Sequence, residues 1–133
     1  MKKIFCSCNF EFKGPKKVHD TEQVTLNKMF VDAHEKYNIT RFAAADDTVN
    51  EEESKIDLLL SAVEPLSYRP KIVGFMRFDV MMAHPESTEK LDRAGFIGPH
   101  FGIETLHPVA GKYIRKKVNR ERGLNFLEFL KTK

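Results

Sequence analysis

The sequence predicts an α/β fold with a parallel sheet, because two patterns alternate along the chain. Short buried runs at 39–45, 71–80 and 100–104 predict strands. Between them, apolar residues recur at the three- and four-residue spacing of amphipathic helices. The strands therefore recur roughly every 30 residues with a helix between each pair, which is the rhythm of βαβ units. No low-complexity linker divides the 133 residues, so we expect a single domain, residues 1–133.

Two capping signals predict where the first helices begin. Asp20 with Gln23 three residues later matches a capping box, and the helix after it should end near Asn38. Asn50 with Glu53 repeats the signal ahead of a second helix, where acidic residues suit the helix dipole.

Proline and glycine predict the limits of the later helices. Pro85 lies where the first turn of a third helix should begin, and Gly95 should end that helix. Pro108 should open a fourth helix. Leucines at helical spacing predict a fifth helix over 123–131.

Composition narrows the functional classes. The formal net charge of +3 at pH 7 is small and dispersed, so we expect no nucleic-acid partner. No apolar run approaches the roughly 20 residues that span a bilayer, and no secretory signal is apparent, so we expect no membrane partner and a cytoplasmic protein. In that reducing compartment the two close cysteines, Cys6 and Cys8, indicate a metal or redox role more than a disulfide.

Polar residues mark the C-terminal ends of the predicted strands. They are Asp46 and Asp47 after the first strand, Arg77 and Asp79 at the second, and Glu104 at the third. In parallel α/β folds, residues at these positions form the functional site.

Structural explanations compete with this interpretation. Asp46 and Asp47 also suit a polar loop that leads into a helix. Arg77 and Asp79 alternate along the predicted strand, so their side chains share a face and a structural ion pair explains them equally well.

Six segments share their order and spacing with one enzyme superfamily. The segments are CSCNF at 6–10, ADDTVN at 45–50, RFD at 77–79, LDRAG at 91–95, FGIETLH at 101–107 and GKYIRKK at 111–117. Together they resemble the front part of a radical S-adenosylmethionine (radical SAM) barrel enzyme, closest to the subgroup often fused to a cobalamin-binding domain. The resemblance covers nearly the whole chain. It implies a partial (βα) barrel of parallel strands with about four βα units.

The resemblance also implies a reaction. In this superfamily three thiolates hold a [4Fe–4S] cluster, the open iron binds SAM, and reduction cleaves SAM to start radical chemistry on a substrate. By this resemblance Cys6 and Cys8 would be cluster ligands. Asn9 and Phe10 would lie near the adenine of SAM.

Further SAM contacts are implied downstream of the cysteines. A carboxylate of Asp46 or Asp47 would receive the methionine amino group through a charge-assisted hydrogen bond. Glu104 would bond polar groups such as the ribose hydroxyls. The site expected from the resemblance, with Arg115 or Lys117 near the methionine carboxylate, comprises Asp46, Asp47, Arg77, Glu104, Arg115 and Lys117.

The chain also departs from the superfamily pattern. The usual cluster loop is CxxxCxxC, whereas this chain has CxC at Cys6 and Cys8. The strand expected before that loop is reduced to 2–5, and the chain stops after about four βα units. We therefore expect a domain truncated at both ends, with the remainder of the barrel or a cobalamin-binding domain as candidate partners.

Two other functions stay open. One is a non-catalytic α/β remnant that has lost its cluster and acts through binding. The other is a metal-dependent hydrolase on a βα barrel, with Asp46, Asp47, Glu104 and His107 around a divalent ion. The position of His107 beside Pro108 favours a loop histidine over a metal ligand on a helix.

Overall fold

The computed structural model describes residues 22–45, 48–114 and 118–132. Within these ranges three strands form one sheet: β1 (Arg41–Ala43), β2 (Lys71–Met76) and β3 (Phe96–Phe101). β2 lies in the middle and pairs in parallel with both neighbours. The predicted α/β class and the parallel strand direction are confirmed for this part of the chain.

Helices precede, connect and follow the strands. Their bounds are α1 (Gln23–Tyr37), α2 (Glu53–Val63), α3 (Phe78–Ala83), α4 (Ser87–Arg93), α5 (Pro108–Tyr113) and α6 (Arg120–Leu130). α2 connects β1 to β2, whereas α3 and α4 together connect β2 to β3. In the ranges described, no helix is both long enough and apolar enough to cross a bilayer.

The apolar core lies on one face of the sheet. Ile72 and Met76 of β2 are buried there, because alternate side chains of a strand point to the same face. They belong to one cluster with residues from five of the helices. The helical members include Phe30 of α1, Ile56 of α2, Met81 of α3, Leu91 of α4 and Phe126 of α6.

The opposite face, which we call the uncovered face, is exposed or half-buried. By register and alternation it carries Arg41 and Ala43 of β1, Lys71, Val73 and Phe75 of β2, and Gly98 and His100 of β3. Phe75, on the central strand, is 61% exposed. Parallel sheets are normally buried on both faces, so an exposed phenylalanine at this position is unusual.

The second strand is shorter than predicted. β2 ends at Met76 and α3 begins at Phe78, so the predicted strand over residues 77–80 is wrong. The side chain of Asn50 hydrogen-bonds the backbone of Arg77 on both its N–H and its C=O. At Arg77 the chain leaves β2 and enters α3. The side chain of Asn50 therefore makes the backbone bonds that a neighbouring strand would otherwise have made there.

The third strand begins and ends earlier than predicted. Gly95 has a positive φ of 86° and its carbonyl accepts a hydrogen bond from the Ile72 N–H at 2.8 Å, so pairing with β2 starts directly after it. The predicted strand over residues 102–104 is wrong. Glu104 has a φ of 54°, which does not occur in an extended strand.

Several predicted helix limits are confirmed. Asn38 ends α1 in the left-handed conformation, with φ 53°. Pro108 opens α5, and Gly95 follows the end of α4. That helix begins at Ser87, two residues later than Pro85 predicts.

The predicted capping boxes are not confirmed. Asp20 lies outside the described residues, and Glu22 occupies the cap position of α1 without a side-chain capping bond. The prediction that Asn50 caps α2 is wrong, because Glu52 occupies that position. The Asn50 side chain instead hydrogen-bonds the backbone of Arg77.

Pro99 lies in the middle of β3, which forms an outer edge of the three-stranded sheet. It faces Gly74 in register. Val73 and Phe75 accept hydrogen bonds from the segment that follows β1, so the backbone of Gly74 between them faces β3 and bonds to the residues on either side of Pro99. The ring nitrogen of Pro99 therefore faces the outer edge, where the missing N–H removes no bond within this sheet.

We expect Gly95→Ala to lower the free energy of unfolding by more than about 2 kcal/mol. A Cβ at this position would overlap the carbonyl oxygen of Pro70, which is backbone and cannot rotate away, and the positive φ adds strain. Urea unfolding followed by circular dichroism measures the loss. Gly98→Ala is the control, because its Cβ would meet only the Val73 side chain, at 3.1 Å. Equal losses in the two variants would contradict this explanation.

Candidate functional site

The candidate residues that the structure describes lie at the C-terminal edge of the sheet. Arg77 directly follows β2, and Glu104 comes three residues after the end of β3. Neighbouring parallel strands end at the same edge, which is where open and closed α/β sheets bind their ligands.

Asn50 ties the segment after β1 to the end of β2. Its Nδ2 donates to the Arg77 carbonyl oxygen at 3.0 Å, and its Oδ1 accepts from the Arg77 N–H at 2.8 Å. Only 2% of Asn50 is exposed, so the amide meets its hydrogen-bonding requirement inside the protein rather than with water. The sequence predicted a helix cap here. The apolar Val49 next to it, which is buried as well, is a signal in the sequence that this segment points inward.

Backbone bonds hold the same segment along β2. The Ala44 N–H donates to the Val73 carbonyl at 2.8 Å, and the Val49 N–H donates to the Phe75 carbonyl at 3.0 Å. With the side chain of Asn50, these bonds continue the β1–β2 ladder beyond the three residues of β1. The residues on both sides of positions 46–47 are thereby fixed to β2.

Arg77 and Asp79 form an ion pair at this edge. Arg77 Nη2 and Nε donate to Asp79 Oδ2 and Oδ1 at 2.6 and 3.1 Å. This side-chain hydrogen bond holds the pKa of Asp79 below its ordinary value and raises the pKa of Arg77. The predicted ion pair is therefore present, but the predicted reason is wrong, because Asp79 lies in the first turn of α3 rather than in a strand.

Glu104 occupies a strained turn. Its φ of 54° is left-handed, and the Thr105 N–H donates to the Ile103 carbonyl at 2.6 Å across it, which makes Glu104 the centre of a γ-turn. A non-glycine residue in this conformation costs about 1–3 kcal/mol and is enriched at functional sites. Among the described residues, this backbone feature sets Glu104 apart as a site candidate.

His107 serves as the N-cap of α5. Its Nδ1 accepts a hydrogen bond from the Ala110 N–H at 3.4 Å, and its own N–H donates to Thr105 Oγ1 at 3.0 Å. The predicted loop position of His107 agrees with this geometry. Within the ranges described, no three His, Cys, Asp or Glu side chains are grouped so that they could hold a metal ion.

Most residues predicted for the site lie outside the described residues. These are Cys6, Cys8, Asn9, Phe10, Asp46, Asp47, Arg115 and Lys117. Their placement near Arg77 and Glu104 stays a prediction.

Two concavities lie near the segments that follow the strands. A cleft of about 80 Å³ is bordered by Asn50, Glu51 and His84, and at roughly 30 Å³ per water it has room for only a few solvent molecules. A groove of about 460 Å³ lies between Leu106 and the start of α6. Neither is lined by Arg77 or Glu104.

Comparison with known proteins leaves the function to be argued from this geometry. No protein-family model matches the chain, and neither the curated proteins nor the solved structures include a match.

We expect Asn50→Asp to lower the free energy of unfolding by about 1–3 kcal/mol near pH 8. A carboxylate cannot donate to the Arg77 carbonyl, and burial raises its pKa. The protonated form can donate, so the loss grows as pH rises above the unfolded value of about 4 and shrinks toward that pH. Urea unfolding between about pH 5 and 8 measures this dependence.

Asn119→Asp is the matched control for that variant. Asn119 caps α6 in an exposed position, where its Oδ1 accepts from the Arg122 N–H at 3.0 Å, and aspartate is an equally good cap. We expect no loss near pH 8. A loss in Asn50→Asp that does not change with pH would contradict the proposed pairing with Arg77.

We expect Asp79→Asn to cost about 1 kcal/mol or less at neutral pH, because the side chains of Arg77 and Asp79 are 48% and 39% exposed and solvent screens the pair. The pKa of Asp79 is lowered in the folded state. Its contribution is therefore present above the unfolded value of about 4 and is lost as pH falls through the lower folded value. A double-mutant cycle with Arg77→Met, measured at pH 7 and pH 3, checks the prediction. Equal coupling at both pH values would contradict it.

Proposed function

We propose that this chain is part of a radical SAM-type catalytic domain, in which SAM is reductively cleaved at a [4Fe–4S] cluster to start radical chemistry on a substrate. The observation that carries the proposal is the one-sided architecture of the sheet. Of the segments that resemble the superfamily, ADDTVN at 45–50 begins two residues after the end of β1, and FGIETLH at 101–107 begins at the last residue of β3.

The strand order favours a partial βα barrel. β1, β2 and β3 are neighbours in chain order, and right-handed crossovers that advance in one direction place every helix on the same face. A doubly wound sheet instead reverses direction and covers both faces with helices. In a partial barrel the uncovered face would line the interior.

The C-terminal edge offers polar groups for SAM. The Glu104 carboxylate can accept hydrogen bonds from hydroxyl or ammonium groups, and its strained turn supports a functional role. Arg77, directly after β2, carries a permanent positive charge, although Asp79 balances that charge.

The residues of this chain suit the binding of SAM better than they suit the binding of a [4Fe–4S] cluster. The sequence contains two cysteines, whereas the superfamily uses three thiolates, and the described residues hold no group of three potential metal ligands. Cys6 and Cys8 do not complete such a cluster by themselves. A third ligand must come from another side chain or another molecule.

The metal-dependent hydrolase has less support. Nδ1 of His107 is engaged with the first turn of α5, and no described constellation of acidic and histidine side chains would hold the ion. A non-catalytic α/β protein is the outcome that a negative result in the following test would favour.

We expect the unaltered chain, reconstituted anaerobically with iron and sulfide, to bind well below about four irons and to form no 5′-deoxyadenosine on reduction. Insertion of residues around Cys6 and Cys8 that restores CxxxCxxC should raise iron content to about four per chain and allow SAM cleavage. Electron paramagnetic resonance and product chromatography measure the two outcomes.

Two variants of the restored loop make this test specific. Cys8→Ser in that background should abolish the cluster, whereas Glu104→Gln should keep the cluster and weaken SAM binding roughly tenfold, since a charged hydrogen bond contributes about 1.5–3 kcal/mol. A restored chain that holds the cluster but neither binds nor cleaves SAM would contradict the proposal.

A further inference from the structure

We infer that the uncovered face binds a nucleoside di- or triphosphate, with the base against Phe75 and His100 and the phosphates at Arg41 and Lys71. This deepens the proposed function by naming a substrate class. It rests on that function only for the reaction that follows, because binding itself needs neither SAM nor the cluster.

Phe75 and His100 form an aromatic row. They are in register on adjacent strands, and their ring centroids lie 5.6 Å apart at an interplanar angle of 43°. Phe75 is 61% exposed and His100 is exposed as well. Exposed rings on a sheet are a stacking platform for nucleobases, since every base presents a π-face.

Arg41 and Lys71 form a cationic row on the same face. They are in register on β1 and β2, and both are exposed. Lys71 shares the face of Phe75 because the two residues are four positions apart on one strand. No carboxylate occupies a strand position on this face, so its charge complements a phosphate chain.

A row of small side chains lies between the other two. Ala43, Val73 and Gly98 are in register across all three strands. Val73 Cγ1 lies 3.1 Å from where a Cβ of Gly98 would be, so the valine side chain covers part of the space above the glycine. No aromatic or charged side chain stands in this row, so a ribose could lie across it between the rings and the cations.

The spacing of the rows selects the length of the ligand. At about 3.3 Å per residue, the Cα atoms of Lys71 and Phe75 lie about 13 Å apart. A nucleoside alone is too short to reach both rows, whereas an extended di- or triphosphate can. A single-stranded nucleic acid would stack successive bases on successive rings, and this face offers only one aromatic row.

The charges at the C-terminal edge set the ligand's direction. Arg77 is paired with Asp79, so little net positive charge is left at that residue. Phosphates are therefore attracted more strongly to Arg41 and Lys71 at the other end of the face.

Isothermal titration of the full chain with ATP, adenosine, inorganic tripolyphosphate and SAM tests the inference. We expect ATP to bind more tightly than the other three. Phe75→Leu should weaken ATP and adenosine roughly tenfold and leave tripolyphosphate unchanged. Lys71→Gln should weaken ATP and tripolyphosphate roughly fivefold, more so at low salt, and leave adenosine unchanged.

Tyr113→Leu and Lys112→Gln are the matched controls, because both residues are exposed on α5 rather than in the sheet. Thermal melting checks that all variants fold alike. The inference is overturned if ATP does not bind at millimolar concentration, if the controls weaken ATP as much as the face variants do, or if an oligonucleotide binds and ATP does not. ATP binding by the unaltered chain, together with a restored-loop chain that holds the cluster but neither binds nor cleaves SAM, would instead count against the proposed function alone.

Discussion

Burial of apolar side chains on only one face of the β1–β2–β3 sheet constrains the rest of the structure. Each strand contributes only one or two side chains to the core cluster, and the helices contribute most of the others. Phe78 of α3 is 2% exposed and packs edge-on against Phe101 of β3 and Phe126 of α6, at centroid distances of 5.1 and 5.6 Å, so it contacts both the sheet and another helix. Such aromatic pairs add about 0.5–1.5 kcal/mol beyond the area they bury.

Side-chain hydrogen bonds and ion pairs, which we call polar ties, connect the helices and loops that pack around the sheet. Tyr68 donates its hydroxyl to the Phe30 carbonyl at 2.9 Å, which joins the loop before β2 to α1. Lys90 contacts Glu53 and Asp57 at 2.7 Å each and so links α4 to α2. The amide of Asn50 is the most buried of these ties, and it links the segments that follow β1 and β2. The candidate site therefore rests on a backbone that side chains hold in place.

The sequence predicted those features of the fold that depend on the conformational preference of a single residue. Asn38 and Gly95 could be recognised as helix ends because their conformations follow from their own residue types. The end of β2 could not be predicted, since it depends on Asn50, which lies 27 positions before Arg77. The turn at Glu104 has no glycine to signal it. At the site, the Arg77–Asp79 pair was predicted from strand alternation, whereas a helical first turn brings the two together.

Pro99 has a consequence for how copies of this protein meet. A strand that approached β3 from outside would find no donor at its midpoint, and β1 offers only three residues for pairing on the other side. Edge-to-edge stacking of sheets into fibrils, which requires an unbroken row of donors and acceptors, is therefore discouraged at both edges of the described three-stranded sheet. The described part of the chain can thus expose Phe75 at a reduced risk of growing into an extended aggregate.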